Sequence, residues 1–290
     1  MINRLTIYGV GLIGGSLARA LKAAGACGEI VGYGRSVAPL QRALELGVID
    51  RYETDPAAAV RGSEVVLLGV PVGAVEAVLR ELRPHLDSDT IITDVGSTKG
   101  SVVAAAETVF GVLPPRFIPG HPIAGTEQSG VEASFAELFR QRRVILTPTA
   151  QSDAAALATI RWMWQQTGAE VTEMSVAHHD EVLAATSHLP HLLAFTLVDT
   201  LARLEDHDDI FRFAAGGFRD FTRIASSSPQ MWHDICLNNR EALLKMVGRF
   251  SAELATLAAA IERGDGEAIL QTFERAKAAR DSYCETHINQ

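Results

Sequence analysis

The chain has 290 residues, of which 47% are hydrophobic and 21% charged, with a formal charge of -9. That length exceeds the usual single domain and the composition excludes a disordered chain, while 26 Lys+Arg against 35 Asp+Glu argue against a nucleic-acid binder, which needs a basic surface. No apolar run reaches the ~20 residues of a membrane span, the N-terminus carries no secretory signal, and Cys27, Cys236 and Cys284 are too few and scattered for a disulfide framework, so the cytoplasm is the expected compartment.

In chain order, short apolar runs bounded by Gly, Pro or Asp fall at 5–8, 30–33, 65–70, 90–94 and 143–147, each too short for a buried helix. Between the first runs, SLARALKAAG and PLQRALELG space their apolar residues as helices do and end in Gly. Strand and helix alternating in this way give a βαβ series, hence a mostly parallel, doubly wound α/β sheet of Rossmann type over residues 1–174. After AEVTEMS the strand pattern stops. Ser175 reads as a helix N-cap, and 175–290 reads as an all-α domain. Its clearest feature is the 4-3-4-3-4 spacing of Leu243, Val247, Phe250, Leu254, Leu257 and Ile261, one apolar stripe along a helix that needs a cover. Packing within the helical domain and a subunit interface both supply one.

The first strand runs directly into TIYGVGLIGGSLARAL, in which Gly9, Gly11 and Gly14 form G-x-G-x-x-G. In that context the first Gly allows the tight turn, the second lets backbone approach a pyrophosphate, and the third lets helix and strand pack closely. Leu12 and Ile13 share the turn, and Val70 and Pro71, where the third strand run ends, are assigned to the same cofactor surface. The second strand ends in VGYGRS, with no Asp or Glu to take the ribose hydroxyls of NAD. Arg35 and Ser36 there suit the 2′-phosphate of NADP, so NADP is expected to be preferred, or accepted beside NAD. The plainer reading leaves Arg35 as a solvated loop residue.

Four aperiodic segments remain: TDVGSTKG, PGHPIAGTEQSGVE, SHLPH and GGFRDFTRIASSSPQMW. Together with GLIGGSLA, and in this order, they resemble the prephenate and arogenate dehydrogenases of tyrosine biosynthesis. The resemblance implies a Rossmann domain followed by a helical domain that forms a homodimer, and a small-molecule substrate. It also implies NAD(P)-dependent oxidative decarboxylation of prephenate and/or arogenate to 4-hydroxyphenylpyruvate and/or tyrosine. The mutase or ligand-sensing domains that some members carry are not expected here.

Matched to the family's motifs, His121 is the implied base that takes the proton of the ring hydroxyl, a task that an imidazole flanked by Pro122 suits. Ser97 is implied to sit near the same hydroxyl, the alternative being a hydroxyl that caps the next helix. Lys99 is either added positive charge or a surface residue. Thr126 and Glu127 match a segment at the substrate entrance, and His188 and His191 are implied to contact substrate. A metal pair is disfavoured for those two histidines, because no Cys or carboxylate cluster accompanies them and Pro190 stands between them. Arg223 matches the arginine that clamps a substrate carboxylate, a role its planar fork of donors fits. Arg219 stands where relatives carry a basic residue, Gly217 lets backbone approach the ligand, and Trp232 is a pocket wall or a core aromatic. His178 and His179, beside Asp180 and Glu181, read as a solvated helix face, with a position in the cleft as the alternative.

Two other classes share parts of this pattern. A β-hydroxyacid dehydrogenase joins the same two kinds of domain, but uses a lysine in a glycine-rich helix that is not found in this sequence. A non-catalytic dinucleotide sensor would have no use for His121, Ser97 and Arg223 together.

Overall fold

A computed structural model of the protein describes residues 1–287. Six strands, β1 (Ile2–Tyr8), β2 (Cys27–Tyr33), β3 (Arg51–Glu53), β4 (Val65–Leu68), β5 (Ile91–Asp94) and β6 (Phe117–Ile118), form one parallel sheet in the order β3-β2-β1-β4-β5-β6. A smaller sheet follows, β7 (Gly120–Pro122), β8 (Arg143–Leu146) and β9 (Glu170–Glu173), with β7 antiparallel to β8 and β9 parallel to it. The five expected strands are all present, and β3, β6, β7 and β9 are additions. The run at 143–147 belongs to the second sheet rather than the first, because β8 pairs with β7 and β9.

The central strands are apolar on both faces because each face meets a different core. In β4, Val65 and Leu67 join Leu5, Ile7, Phe139 and Trp164 on one side, whereas Val66 and Leu68 join Leu79, Val102 and Phe117 on the other. Strand alternation thus feeds two layers of helices. The crossover helices Leu12–Ala23 and Val37–Glu45 end as expected, with Gly25 and Gly47 just beyond them at φ +60° and +67°. The strand order reverses between β1 and β4, which opens a crevice at their carboxyl ends.

Ser175 caps the helix Val176–Leu183, accepting a hydrogen bond from His178 N at 3.3 Å. A π turn, Ala184–His188, carries this helix into Leu189–Ala202. Pro190, in the first turn of the second segment, has no N–H to offer the preceding ladder. The combined run Val176–Ala202 is long and apolar enough to cross a membrane by length and composition. His179, Asp180 and His188 along it are nevertheless tied into protein contacts described below.

Met1–Ala242 forms one compact unit, and a second begins at Leu243. The first contains both sheets and the helices through Asn238. The apolar stripe lies on the helix Arg240–Glu262, where Phe250, Leu254 and Ile261 are 39%, 56% and 61% exposed among the described residues.

Candidate active site

The glycine turn is built by close approach. Gly9 has φ +91°, and a Cβ there would lie 2.5 Å from the carbonyl oxygen of Gly69. At Gly14 a Cβ would meet both Gly9 O and Ile7 Cγ2 at 2.8 Å. These two glycines shape the turn, whereas at Gly11 a Cβ would meet nothing within 4 Å. The helix Leu12–Ala23 starts at Gly11 with no side chain capping it, so its first-turn N–H donors are available to an anionic group. Open space beside free donors fits the pyrophosphate of a dinucleotide.

A cleft of about 620 Å³ begins at this turn. It gathers Gly11, Leu12, Ile13, Val70, Pro71, Ser97, His121, Thr126 and Glu127 from the expected residues, drawn from the ends of β1, β4 and β5, from β7 and from the loop after it. Gly69, Gln128, Ser226–Ser228 and Asp234 complete its walls without having been anticipated. Arg35 and Ser36 lie outside the cleft, exposed just beyond β2, and among the described residues neither a hydrogen bond nor an ion pair engages Arg35.

His121 is 9% exposed on β7, whose register sets it opposite Ile145 of β8. Its Nδ1 lies 2.9 Å from His179 Nε2, and its Nε2 has no hydrogen-bond partner among the described residues. Burial, followed by the neighbouring His179, Lys99 and His188, holds its pKa well below the ordinary imidazole value. His121 is therefore neutral at physiological pH, the state a base requires. Ser97 lines the same cleft and its hydroxyl makes no hydrogen bond among the described residues, so it does not cap the helix Gly100–Phe110. That cap comes from Asp180, which accepts from the N–H groups of Lys99 and Gly100, each at 2.8 Å.

Three groups that the sequence reading placed, or allowed, at the surface are tied into the interior. His179 is fully buried rather than on a solvated face, and bonds Asp180 Oδ1 through Nδ1 at 2.8 Å. Burial lowers the His179 pKa, against the pull of Asp180. Asp180 itself is held below the usual carboxylate value, because the bonds from His179 and the two backbone N–H groups outweigh the effect of burial. Lys99 is also fully buried: its Nζ pairs with Asp94 and donates to Gly120 O at 2.7 Å, bracing the strand that carries His121. Burial draws the Lys99 pKa down against the attraction of Asp94.

The remaining expected residues are not on the cleft wall. His188 is buried, receives Asn239 Nδ2 on its Nδ1 at 3.0 Å, and is pushed down to about 4, chiefly by burial. His191 stacks on Trp232 with ring centroids 3.7 Å apart. Arg223 is exposed and reaches the cleft only through an ion pair with Glu127. Arg219 and Gly217 are exposed on the helix Gly216–Thr222.

The prephenate dehydrogenase nucleotide-binding domain model matches residues 17–173, and the prephenate dehydrogenase dimerization domain model matches 175–275. The chain is 42% identical to a cyclohexadienyl dehydrogenase of Zymomonas mobilis, covering 97% of this chain and 96% of that one. It is 39% identical to a prephenate dehydrogenase of Bacillus subtilis, over 97% of this chain and 76% of the relative. The crystal structure of prephenate dehydrogenase from Aquifex aeolicus, in complex with hydroxyphenyl propionate and NAD+, superposes with a TM-score of 0.91 at 39% identity, covering 97% of this chain and 98% of that one.

Proposed function

The chain belongs to the prephenate dehydrogenase family, and on that premise we propose that it oxidatively decarboxylates prephenate and/or arogenate, using a nicotinamide dinucleotide held at the Gly11–Ile13 turn. The placement of His121 carries this reading: a neutral imidazole with an unpartnered nitrogen lines the same cleft as the uncapped helix N-terminus.

A bound nicotinamide ring supplies the acceptor for the hydride that leaves the hydroxyl-bearing ring carbon. The protein must then receive the hydroxyl proton, orient the ring and exclude water. His121 Nε2 takes the proton as the C–O bond gains carbonyl character. The Ser97 hydroxyl, free of other bonds, holds the substrate hydroxyl in line with it. Departure of the ring carboxylate as CO2 makes the ring aromatic and the step irreversible. Thr126 and Glu127 stand at the entrance, and Arg223 exchanges Glu127 for a substrate carboxylate when substrate arrives. Outside the cleft wall, His188 packs edge-on to Trp232 and His191 stacks on it.

Arg35 and Ser36 give NADP its place, since no acidic residue ends β2 and the Arg35 guanidinium is unengaged. The open stripe on Arg240–Glu262 supports a homodimer formed through the helical segment. The reaction is tested by a two-by-two kinetic matrix of prephenate and arogenate against NAD and NADP, with CO2 release followed alongside dinucleotide reduction. Reduction of dinucleotide with release of CO2 is expected for at least one substrate, fastest with NADP. No turnover in any of the four combinations would remove the assignment.

A further inference from the structure

Accepting a proton at Nε2 requires His121 to hold its own proton on Nδ1, and a neutral imidazole is free to choose either nitrogen. The structure contains a device that makes the choice. A carboxylate can only accept, so Asp180 Oδ1, 2.8 Å from His179 Nδ1, requires that nitrogen to carry the proton. Neutral His179 then presents a bare lone pair at Nε2. That lone pair lies 2.9 Å from His121 Nδ1. With a proton on Nε2 instead, His121 would set two lone pairs against each other at this distance, so Nδ1 donates and Nε2 is left bare. Asp180 cannot turn away, because Lys99 N and Gly100 N hold its two oxygens at 2.8 Å each, and Asn239 Nδ2 donates to its backbone carbonyl at 2.9 Å.

We infer that His179 and Asp180 are positioning residues that lock His121 in its base-competent tautomer and steady the imidazolium it becomes. The inference rests on His121 being the base. The proton passes from the substrate hydroxyl oxygen to His121 Nε2, and the positive charge stays on His121. Asp180 remains a carboxylate at the end of two hydrogen bonds, as the acid behind a catalytic histidine does elsewhere. The charged and titratable groups around His121 are His179 and Asp180 from one side, Lys99 and Asp94 from another, and His188.

Two variants separate this role from simple structural support. In His179→Gln the amide oxygen can still accept from His121 Nδ1, whereas His179→Leu offers nothing. The Leu variant should lose about 10- to 100-fold in kcat with KM for substrate and for NADP nearly unchanged, and the Gln variant should recover most of that loss. Nitrogen chemical shifts of the His121 ring, measured on the full-length protein with NADP and assigned by their loss in His121→Asn, should show Nδ1 protonated and Nε2 bare. This ring measurement decides the matter alone if the variants fold poorly. Equal kcat in the Leu and Gln variants, or a proton on Nε2 of neutral His121, overturns the inference. Failure of the base assignment looks different: His121→Asn would turn over normally while the ring shifts still reported the locked tautomer.

Discussion

Lys99→Met tests the account away from the reacting atoms. The substitution keeps the length of the side chain and deletes a cation that is fully buried against the equally buried Asp94. Asp94 would keep hydrogen bonds from Gly96 N at 2.7 Å and Gly120 N at 3.1 Å, and Gly120 O would lose its donor. Stranding one charge of a buried pair costs about 3–5 kcal/mol, and the orphaned carbonyl adds ~1 kcal/mol. The two surviving N–H bonds place the total near the lower end, about 4 kcal/mol. For a unit of this size each kcal/mol moves Tm by about 2–4 °C, so thermal unfolding followed by circular dichroism should show a drop of roughly 8–16 °C. A second effect has a definite sign. Lys99 is one of the groups that depress the His121 pKa, so its removal should move the acid limb of turnover to higher pH. A melting temperature within about 2 °C of the parent would refute the claim that this pair is a buried ion pair bracing β7.

Arg35→Asp should swing preference from NADP toward NAD by about one to two powers of ten in KM ratio, the worth of one charge-assisted hydrogen bond; a parent already strict for NAD would contradict that role. Arg223→Ala should raise substrate KM far more than it lowers kcat, because a carboxylate clamp serves ground and transition states alike, and steady-state kinetics separate the two. Leu254→Glu, which puts a charge in the open apolar stripe where Leu254 is 56% exposed, should weaken a dimer by about tenfold or more in Kd. Light scattering on the parent that finds only monomer at micromolar concentration contradicts the dimer outright.

The Gly9–Gly14 turn, the crossover helices with their glycine stops and the Ser175 cap were legible in the sequence because each is decided by a few neighbouring residues. The strands that escaped are short or polar. β6 and β7 span two and three residues, too few to display alternation, and β7 ends in Pro122, which ordinarily argues against a strand. β3 is Arg-Tyr-Glu, with Arg51 and Glu53 paired along it. The burial of Lys99, His179 and Asp180 was hard to read for a common reason. Charged and imidazole side chains belong at the surface unless partners meet them, and one partner of each lies far along the chain: Gly120 O for Lys99 at 21 residues, His121 for His179 at 58 and Lys99 N for Asp180 at 81. One local signal was available. With Val176 and Leu183, His179 completes an i, i+3, i+7 face, a buried stripe rather than a solvated one.

His121→Asn tests the central claim most directly, because it keeps a polar side chain on β7 while removing the nitrogen that receives the proton. Turnover should fall by about 10² to 10⁴ while affinity for NADP hardly changes. The parent's pH profile supplies the matching signature. Neutral His121 is the active form and its pKa is depressed, so turnover should persist as pH falls through the ordinary imidazole value of about 6.5 and be lost only below it, as the ring takes up its proton. That limb should be missing from the variant. Near-parental turnover in His121→Asn, with the acid limb unchanged, would contradict the account and place the base elsewhere.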